Sequence, residues 1–214
     1  PRTAVREIPS GKITPRQALV FVIASSVLFI VSAGLLNRLT LVLSPVALII
    51  VLGYSYTKRF TPLCHLVLGL GLSLAPIGAY IAVTGSFALL PLIYSFIVLT
   101  WVSGFDIIYS LQDDQFDRET GLYSIPAVMS RGKALTVSIA LHLISVVLVV
   151  VAGFAGDAGF IYWTGAAIFI IMLIYQHLIV RPDDLSRVNM AFGTTNGIAG
   201  VIYGLAVVLD LLLL

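Results

Sequence analysis

With 59% hydrophobic and only 10% charged residues over 214 positions, and a formal charge of +2, the chain lies far from the roughly 25% charged fraction of soluble globular domains. That composition excludes a water-soluble domain and marks an integral membrane protein whose expected surroundings are a lipid bilayer, with no nucleic acid among its partners. The one cysteine, Cys64, excludes an internal disulfide and has no second thiol with which to build a metal site.

The chain opens with PRTAVREIPSGKITPRQ, which lacks both an initiator methionine and the charge-then-apolar order of a signal peptide. It is expected to be a piece of a longer protein, cut inside a cytoplasmic loop. Gly11 and Lys12 do not make a phosphate-binding loop, because Ile13 replaces the needed hydroxyl and Arg6 stands at the first glycine position. Seven apolar stretches then follow, at about 17–37, 41–56, 63–83, 87–111, 134–156, 158–180 and 190–212, each long enough or nearly so to cross ~30 Å of hydrocarbon. Runs such as ALHLISVVLVVVAGFAG are continuously apolar without period-two alternation, so the segments are helices rather than barrel strands. The second is the shortest and contains Pro45. The expected architecture is an all-α, polytopic transmembrane helical bundle forming a single domain over 1–214. Its longest polar connection is 112–133.

Basic residues divide sharply between the two sides of such a bundle. Arg2, Arg6, Lys12, Arg16, Lys58, Arg59, Arg118, Arg131, Lys133, Arg181 and Arg187 fall on one side, and of the twelve only Arg38 falls on the other. By the positive-inside rule that side is cytoplasmic.

The fourth stretch ends in DIIYSLQDDQFD, residues 106–117. On one continuous helix, steps of three, four and seven would place Asp106, Tyr109, Asp113 and Asp117 in a single narrow stripe. Carboxylates at this depth are costly unless they serve a site with a partner, and hard divalent cations such as Mg2+ take such oxygens together with substrate phosphates. The stripe therefore points to a metal-bridged diphosphate. Asp114, about 80° away, reads equally as a solvated loop residue. Lys58 and Arg59, in YSYTKRFTPL, put cations at the same membrane face, where they serve either as orientation signals or as anion partners. Asn189 and Asn196 lie near the start of the last helix, as polar contacts or as caps. His142 and His177 read as structural; His65, close behind the basic pair, is of more interest. Gly69, Gly71 and the series Gly193, Gly197, Gly200 and Gly204 read as helix-packing positions.

The segment DIIYSLQDDQFDRETGLYSIPA resembles the second aspartate-rich region of the UbiA superfamily of intramembrane prenyltransferases, a DxxYxxxDxxxD arrangement. RTAVREIPSGKIT is similar to the segment after that family's first aspartate motif, SYTKRFTPLCHLVLG to its YxxxKRxT stretch, and YQHLIVRPDDLSRVNMAFGTTN to its C-terminal region. The four occur in order over nearly the whole chain. The pattern is most like the members that prenylate 4-hydroxybenzoate, with menaquinone-pathway relatives acting on a naphthoate as the alternative. The resemblance implies about nine helices, of which seven are present here, and a first NxxxDxxxD motif that would precede Pro1. It further implies Mg2+ held by Asp113 and Asp117, a polyprenyl diphosphate bound by Lys58, Arg59, Arg118 and Asn196, and a hydroxylated aromatic acid activated by Asp106 with Tyr109. A bacterial inner membrane with cytoplasmic active-site loops is the implied location. A non-enzymatic transporter would also carry intramembrane acids, but nearer mid-membrane or in broken helices of an inverted repeat, which the sequence lacks.

Overall fold

The computed structural model describes residues 5–213, so Arg2 of the basic series lies outside the described residues. Among the described residues, seven helices are long and apolar enough to cross a membrane. In chain order the helices are α1 Pro15–Leu36, α2 Arg38–Thr57, α3 Cys64–Thr84, α4 Leu89–Ser110, the short α5 Asp114–Thr120 and α6 Ile125–Val128, then α7 Arg131–Ala155, α8 Phe160–Ile179 and α9 Asn196–Leu213. The apolar stretches read from the sequence fall on the seven long helices.

The helix ends follow local chemistry. Thr14 and Gln17 form a reciprocal capping box ahead of Pro15, which as a first-turn residue has no amide to leave unbonded. Asn37 ends α1 and caps α2 by accepting from the Thr40 amide, while its own amide group donates to the carbonyls of Ile81 and Ala82 at the far end of α3. One side chain thus ties three helix ends together. Gly85 ends α3 in the left-handed conformation, φ 67°, that glycine adopts without steric cost.

Two prolines sit inside membrane helices, and beside each a serine hydroxyl bonds a nearby backbone group. Pro45 cannot donate to the carbonyl of Leu41; the Ser44 hydroxyl does so instead, at 2.9 Å. This is why the second stretch spans as a 20-residue helix despite its proline. Pro76 interrupts the ladder of α3, and the Ile77 amide donates to Ser95 Oγ of α4 at 3.2 Å.

The most extensive packing joins α3 to α4, α4 to α7, and α8 to α9. Small residues permit the closest approaches. A Cβ on Gly69 would lie 2.5 Å from the Leu99 carbonyl oxygen, and one on Gly104 would lie 2.3 Å from the His142 ring. Of the glycine series expected to pack in the last helix, only Gly200 meets a neighbour, Trp101; Gly193, Gly197 and Gly204 face open space. By contrast α1 buries only Ala33 and α2 only Ser44, and their outward faces carry exposed leucine, valine and phenylalanine suited to hydrocarbon.

At the opposite end of the bundle from the 106–117 segment, Asp210 of α9 is 5% exposed and accepts from the amides of Gly159 and Tyr162 at 2.7 and 3.1 Å. Its carboxylate caps the N-terminus of α8, where the unpaired amides and the helix dipole favour negative charge. A buried acid at that depth therefore has a structural role.

Candidate functional site

Because consecutive long helices alternate in direction, the end of α2, the start of α3, the end of α4, the start of α7 and the end of α8 gather at one end of the bundle. The 112–133 connection lies across that end as a folded cap. A 3-10 turn, Leu111–Asp113, follows α4, with α5 and α6 beyond it. The turn changes the pitch, so Asp106, Tyr109, Asp113 and Asp117 do not share one continuous helical face. The expected stripe is divided into separate contacts. Leu111, 0% exposed, anchors the turn in the apolar cluster with Ile107, Ile108 and Val188.

Asp117 lies in α5 with no exposed surface, its Oδ1 2.8 Å from Lys58 Nζ and its Oδ2 accepting from Ser124 Oγ at 2.8 Å. Oδ1 is buried, and the lysine ammonium supplies its counter-charge. Asp113 holds the N-cap position of α5, one turn before Asp117. Lys58 is fixed through its backbone as well, since its carbonyl accepts from the Tyr123 amide at 2.7 Å.

Asp106 contacts a different partner. Its Oδ2 is 2.6 Å from Nδ1 of His65, whose side chain is 2% exposed, while Asp106 keeps 20% of its own side chain exposed. The Ile125 amide donates to the other ring nitrogen, Nε2, at 3.3 Å. That contact puts a ring proton on Nδ1, facing the carboxylate. Tyr109 stacks on Phe192 with ring centroids 4.0 Å apart, and Phe105 meets the same ring edge-on. These aromatics form a cluster beside Asp106, with Phe105 next to it in the chain, Tyr109 about one turn on and Phe192 from the turn before α9.

The structure places two of the expected binding residues, Arg118 and Asn196, in scaffold contacts and a third, Arg59, at the surface. Arg118 Nη2 donates to the Pro126 carbonyl at 2.8 Å and lies 3.4 Å from Asp114. Arg59 is exposed and lies over the Tyr56 ring, 5.3 Å from its centroid. Asn196 accepts from Trp101 Nε1 and donates to the carbonyls of Ala191 and Phe192. It thereby closes the π-helical turn Met190–Thr195 that precedes α9 and carries Phe192. Asn189 accepts from Gln112 at 3.2 Å.

Asp114 is no solvated loop residue. Arg131, at the start of α7, grips both its oxygens, Nε to Oδ2 at 2.9 Å and Nη2 to Oδ1 at 3.0 Å. This bidentate pair pins the cap to α7. A separation of 17 residues leaves no periodic signal from which the pair could be read. The two histidines read as structural contact each other, His142 Nδ1 to His177 Nε2 at 2.7 Å, between α7 and α8. Ser124, overlooked in the sequence, is where Asp117 finds its hydroxyl donor; the SxP pattern of a capped short helix is the only local hint of its position.

Among the described residues no three metal-ligating side chains converge. The chain offers Asp113 and Asp117, and a divalent ion there would draw its remaining oxygens from a diphosphate and water. The donor set fits such an ion: both groups are hard oxygens, and Asp117 Oδ1 is a buried carboxylate oxygen that already faces a cation.

The UbiA prenyltransferase family profile matches residues 1–200. Among curated relatives, a 4-hydroxybenzoate octaprenyltransferase of Francisella tularensis subsp. novicida is 25% identical over 207 residues, covering 97% of this chain and 72% of that protein. The 4-hydroxybenzoate octaprenyltransferase of Aeromonas salmonicida is 28% identical over 214 residues, covering 99% of this chain and 73% of that protein. The apo structure of a UbiA homolog from Aeropyrum pernix K1 superposes with a TM-score of 0.89 at 35% identity, covering 99% of this chain and 78% of that one. A digeranylgeranylglyceryl phosphate synthase structure shares the fold, with a TM-score of 0.78 at 20% identity. The helical order, the aspartate-bearing cap and the agreement along nearly the whole chain converge on one assignment: this membrane protein belongs to the UbiA prenyltransferase family and is a transferase.

Proposed function

We propose that the protein transfers a polyprenyl group from its diphosphate to a hydroxylated aromatic acid of the 4-hydroxybenzoate type, at the cytoplasmic face of a bacterial inner membrane, in quinone biosynthesis. The observation that carries this reading is the Lys58–Asp117 pair beside Asp113, a cation and two acids at the membrane end where a diphosphate headgroup would lie while its tail stays among the helices. The 4-hydroxybenzoate octaprenyltransferase relatives support the acceptor class, and the distribution of basic residues supports the sidedness.

Lys58 and Arg59 bind the diphosphate oxygens, Lys58 exchanging Asp117 for the substrate. Asp113 and Asp117 would hold Mg2+, which when bound offsets the charge of the departing diphosphate. The helical walls exclude water from the allylic cation left when the C–O bond breaks, and the electron-rich ring of the acceptor attacks it. Phe192, Tyr109 and Phe105 present aromatic faces near Asp106, where that cation and the acceptor ring would meet. Asp106 takes the proton that the acceptor releases, with Tyr109 helping to orient the phenol.

The deciding experiment is product formation, read by mass spectrometry, from membranes carrying the protein supplied with a prenyl diphosphate, Mg2+ and a panel of hydroxylated aromatic acids. A prenylated 4-hydroxybenzoate is expected. Prenylation of a naphthoate or of a non-aromatic alcohol in its place would overturn the acceptor assignment.

A further inference from the structure

We propose that His65 is a positioning residue for Asp106, holding Oδ2 of that carboxylate so that Oδ1 receives the proton lost by the acceptor during prenylation. The inference rests on Asp106 acting as the base in the function proposed above.

Three features converge on the histidine. Its ring is buried and gripped at both nitrogens, by Asp106 at 2.6 Å and by the Ile125 amide at 3.3 Å, so it has one orientation. Its backbone is held too: the His65 carbonyl accepts from Ser103 Oγ at 3.1 Å, and the close approach at Gly69, one turn on, keeps α3 against α4. The third feature is where the ring's outer nitrogen leads. Ile125 follows Ser124, the residue whose hydroxyl holds Asp117. The adjacent pair Ser124–Ile125 therefore positions the acid on the diphosphate side directly and the acid on the acceptor side through His65.

Exposure distinguishes Asp106 from the two acids buried in the cap. Asp117 keeps 1% of its side chain exposed and Asp114 7%, whereas Asp106 keeps 20%. A carboxylate with one oxygen fixed by a buried donor and an open remainder is set up to accept a proton in a defined direction.

The step balances as follows. The allylic C–O bond breaks and the diphosphate leaves with its electron pair. A ring carbon of the acceptor bonds to the allylic carbon, and the electrons of its C–H bond return to the ring. The proton passes to Oδ1 of Asp106, which becomes a neutral acid still accepting from His65 at Oδ2, and water later removes it.

Two substitutions separate the two ring nitrogens. In His65→Asn the side-chain amide nitrogen overlays Nδ1 and keeps the donor to Asp106; in His65→Gln the terminal group overlays Nε2 and keeps only the Ile125 contact. Turnover would be measured for both, and for Asp106→Asn, in membranes carrying the complete protein. The acceptor is whichever one the enzyme prenylates, with hydrogen or deuterium at the atom that is prenylated. His65→Gln is expected to lower kcat by about tenfold or more, and to show a deuterium isotope effect on kcat that the wild type lacks. Its KM for prenyl diphosphate stays unchanged. His65→Asn is expected to stay within about threefold of wild type, without that isotope effect, since the base keeps its donor. Equal losses in the two variants, a loss without an isotope effect, or a His65→Asn enzyme slower than His65→Gln would each overturn the proposal. Asp106→Asn turning over at the wild-type rate overturns the base assignment itself. A slow Asp106→Asn beside an unimpaired His65→Gln overturns only the role of His65.

Discussion

The Lys58 ammonium lies 2.8 Å from Oδ1 of Asp117, joining a lysine side chain that is 30% exposed to a carboxylate that is 1% exposed. The pair spans the border between water and the closed cap, and the same lysine is the cation best placed to meet a diphosphate. In the function proposed above, folding and substrate binding therefore draw on one group. Lys58→Ala is expected to raise KM for prenyl diphosphate and also to cost about 2 kcal/mol of stability, because a buried carboxylate loses its counter-charge. Thermal unfolding in detergent beside steady-state kinetics separates the two effects. Adding Asp117→Asn to Lys58→Ala should restore stability without restoring activity; a double variant no more stable than Lys58→Ala would contradict this.

Asp113→Asn and Asp117→Asn are each expected to reduce Mg2+-dependent product formation by about a hundredfold or more, since each removes one of the two anionic oxygens the chain offers a divalent ion. Product yield against Mg2+ concentration is the measurement. Wild-type yield from either variant would remove that residue from the metal site.

Asp114 behaves differently from its neighbours in the same motif. Its bidentate bond to Arg131 fastens the cap to α7. Asp114→Ala is expected to lower stability by about 1–3 kcal/mol, leaving an arginine without its partner, while KM for both substrates stays near wild type. Arg131 is 39% exposed, so water recovers part of the loss. A large change in KM with unchanged unfolding temperature would place Asp114 in the substrate site instead.

At Gly69 an added Cβ would meet the Leu99 carbonyl at 2.5 Å and Ser103 Oγ at 2.3 Å. The serine hydroxyl can rotate away, but the Leu99 carbonyl is backbone, so α3 and α4 must separate to relieve that contact. Gly69→Ala is expected to cost about 1–3 kcal/mol and to lower turnover, since the same helix contact sets the distance from His65 to Asp106. Gly78→Ala on the same helix, where the Cβ meets nothing within 4 Å, is the control and should be near neutral. Equal behaviour of the two variants would show that the close approach does not matter.

The removal of Asp210 tests a structural role for a buried acid. Asp210→Asn keeps an acceptor for one of the two amides, turns a donor toward the other and loses the negative charge at the N-terminus of α8, and should cost about 1 kcal/mol; Asp210→Ala, which leaves both amides without an acceptor, should cost about 1–2 kcal/mol. Unfolding midpoints of the two variants give the comparison.

What the sequence determined by itself was everything that depends on local composition and length. Seven membrane-length helices, their alternation, and the gathering of Lys58, Asp106, Asp113 and Asp117 at one end of the bundle follow from the apolar runs and the polar breaks between them. Hydrocarbon enforces this, since backbone polar groups within it must be satisfied by the protein, which a helix does almost entirely within its own segment. Even Pro45 is locally solved, by the serine immediately before it. The tertiary structure alone decided which acid meets which partner. A 3-10 turn of three residues after Ser110 is enough to divide one expected stripe, giving Asp106 to His65 and Asp117 to Lys58 and Ser124. Asp114 and Arg131, or His142 and His177, meet because the cap folds back and helices pack, at separations of 17 and 35 residues. Periodicity describes one helix at a time. The pairing of charges across helices depends on pitch, crossing and the close approaches at Gly69 and Gly104, which only the assembled bundle sets.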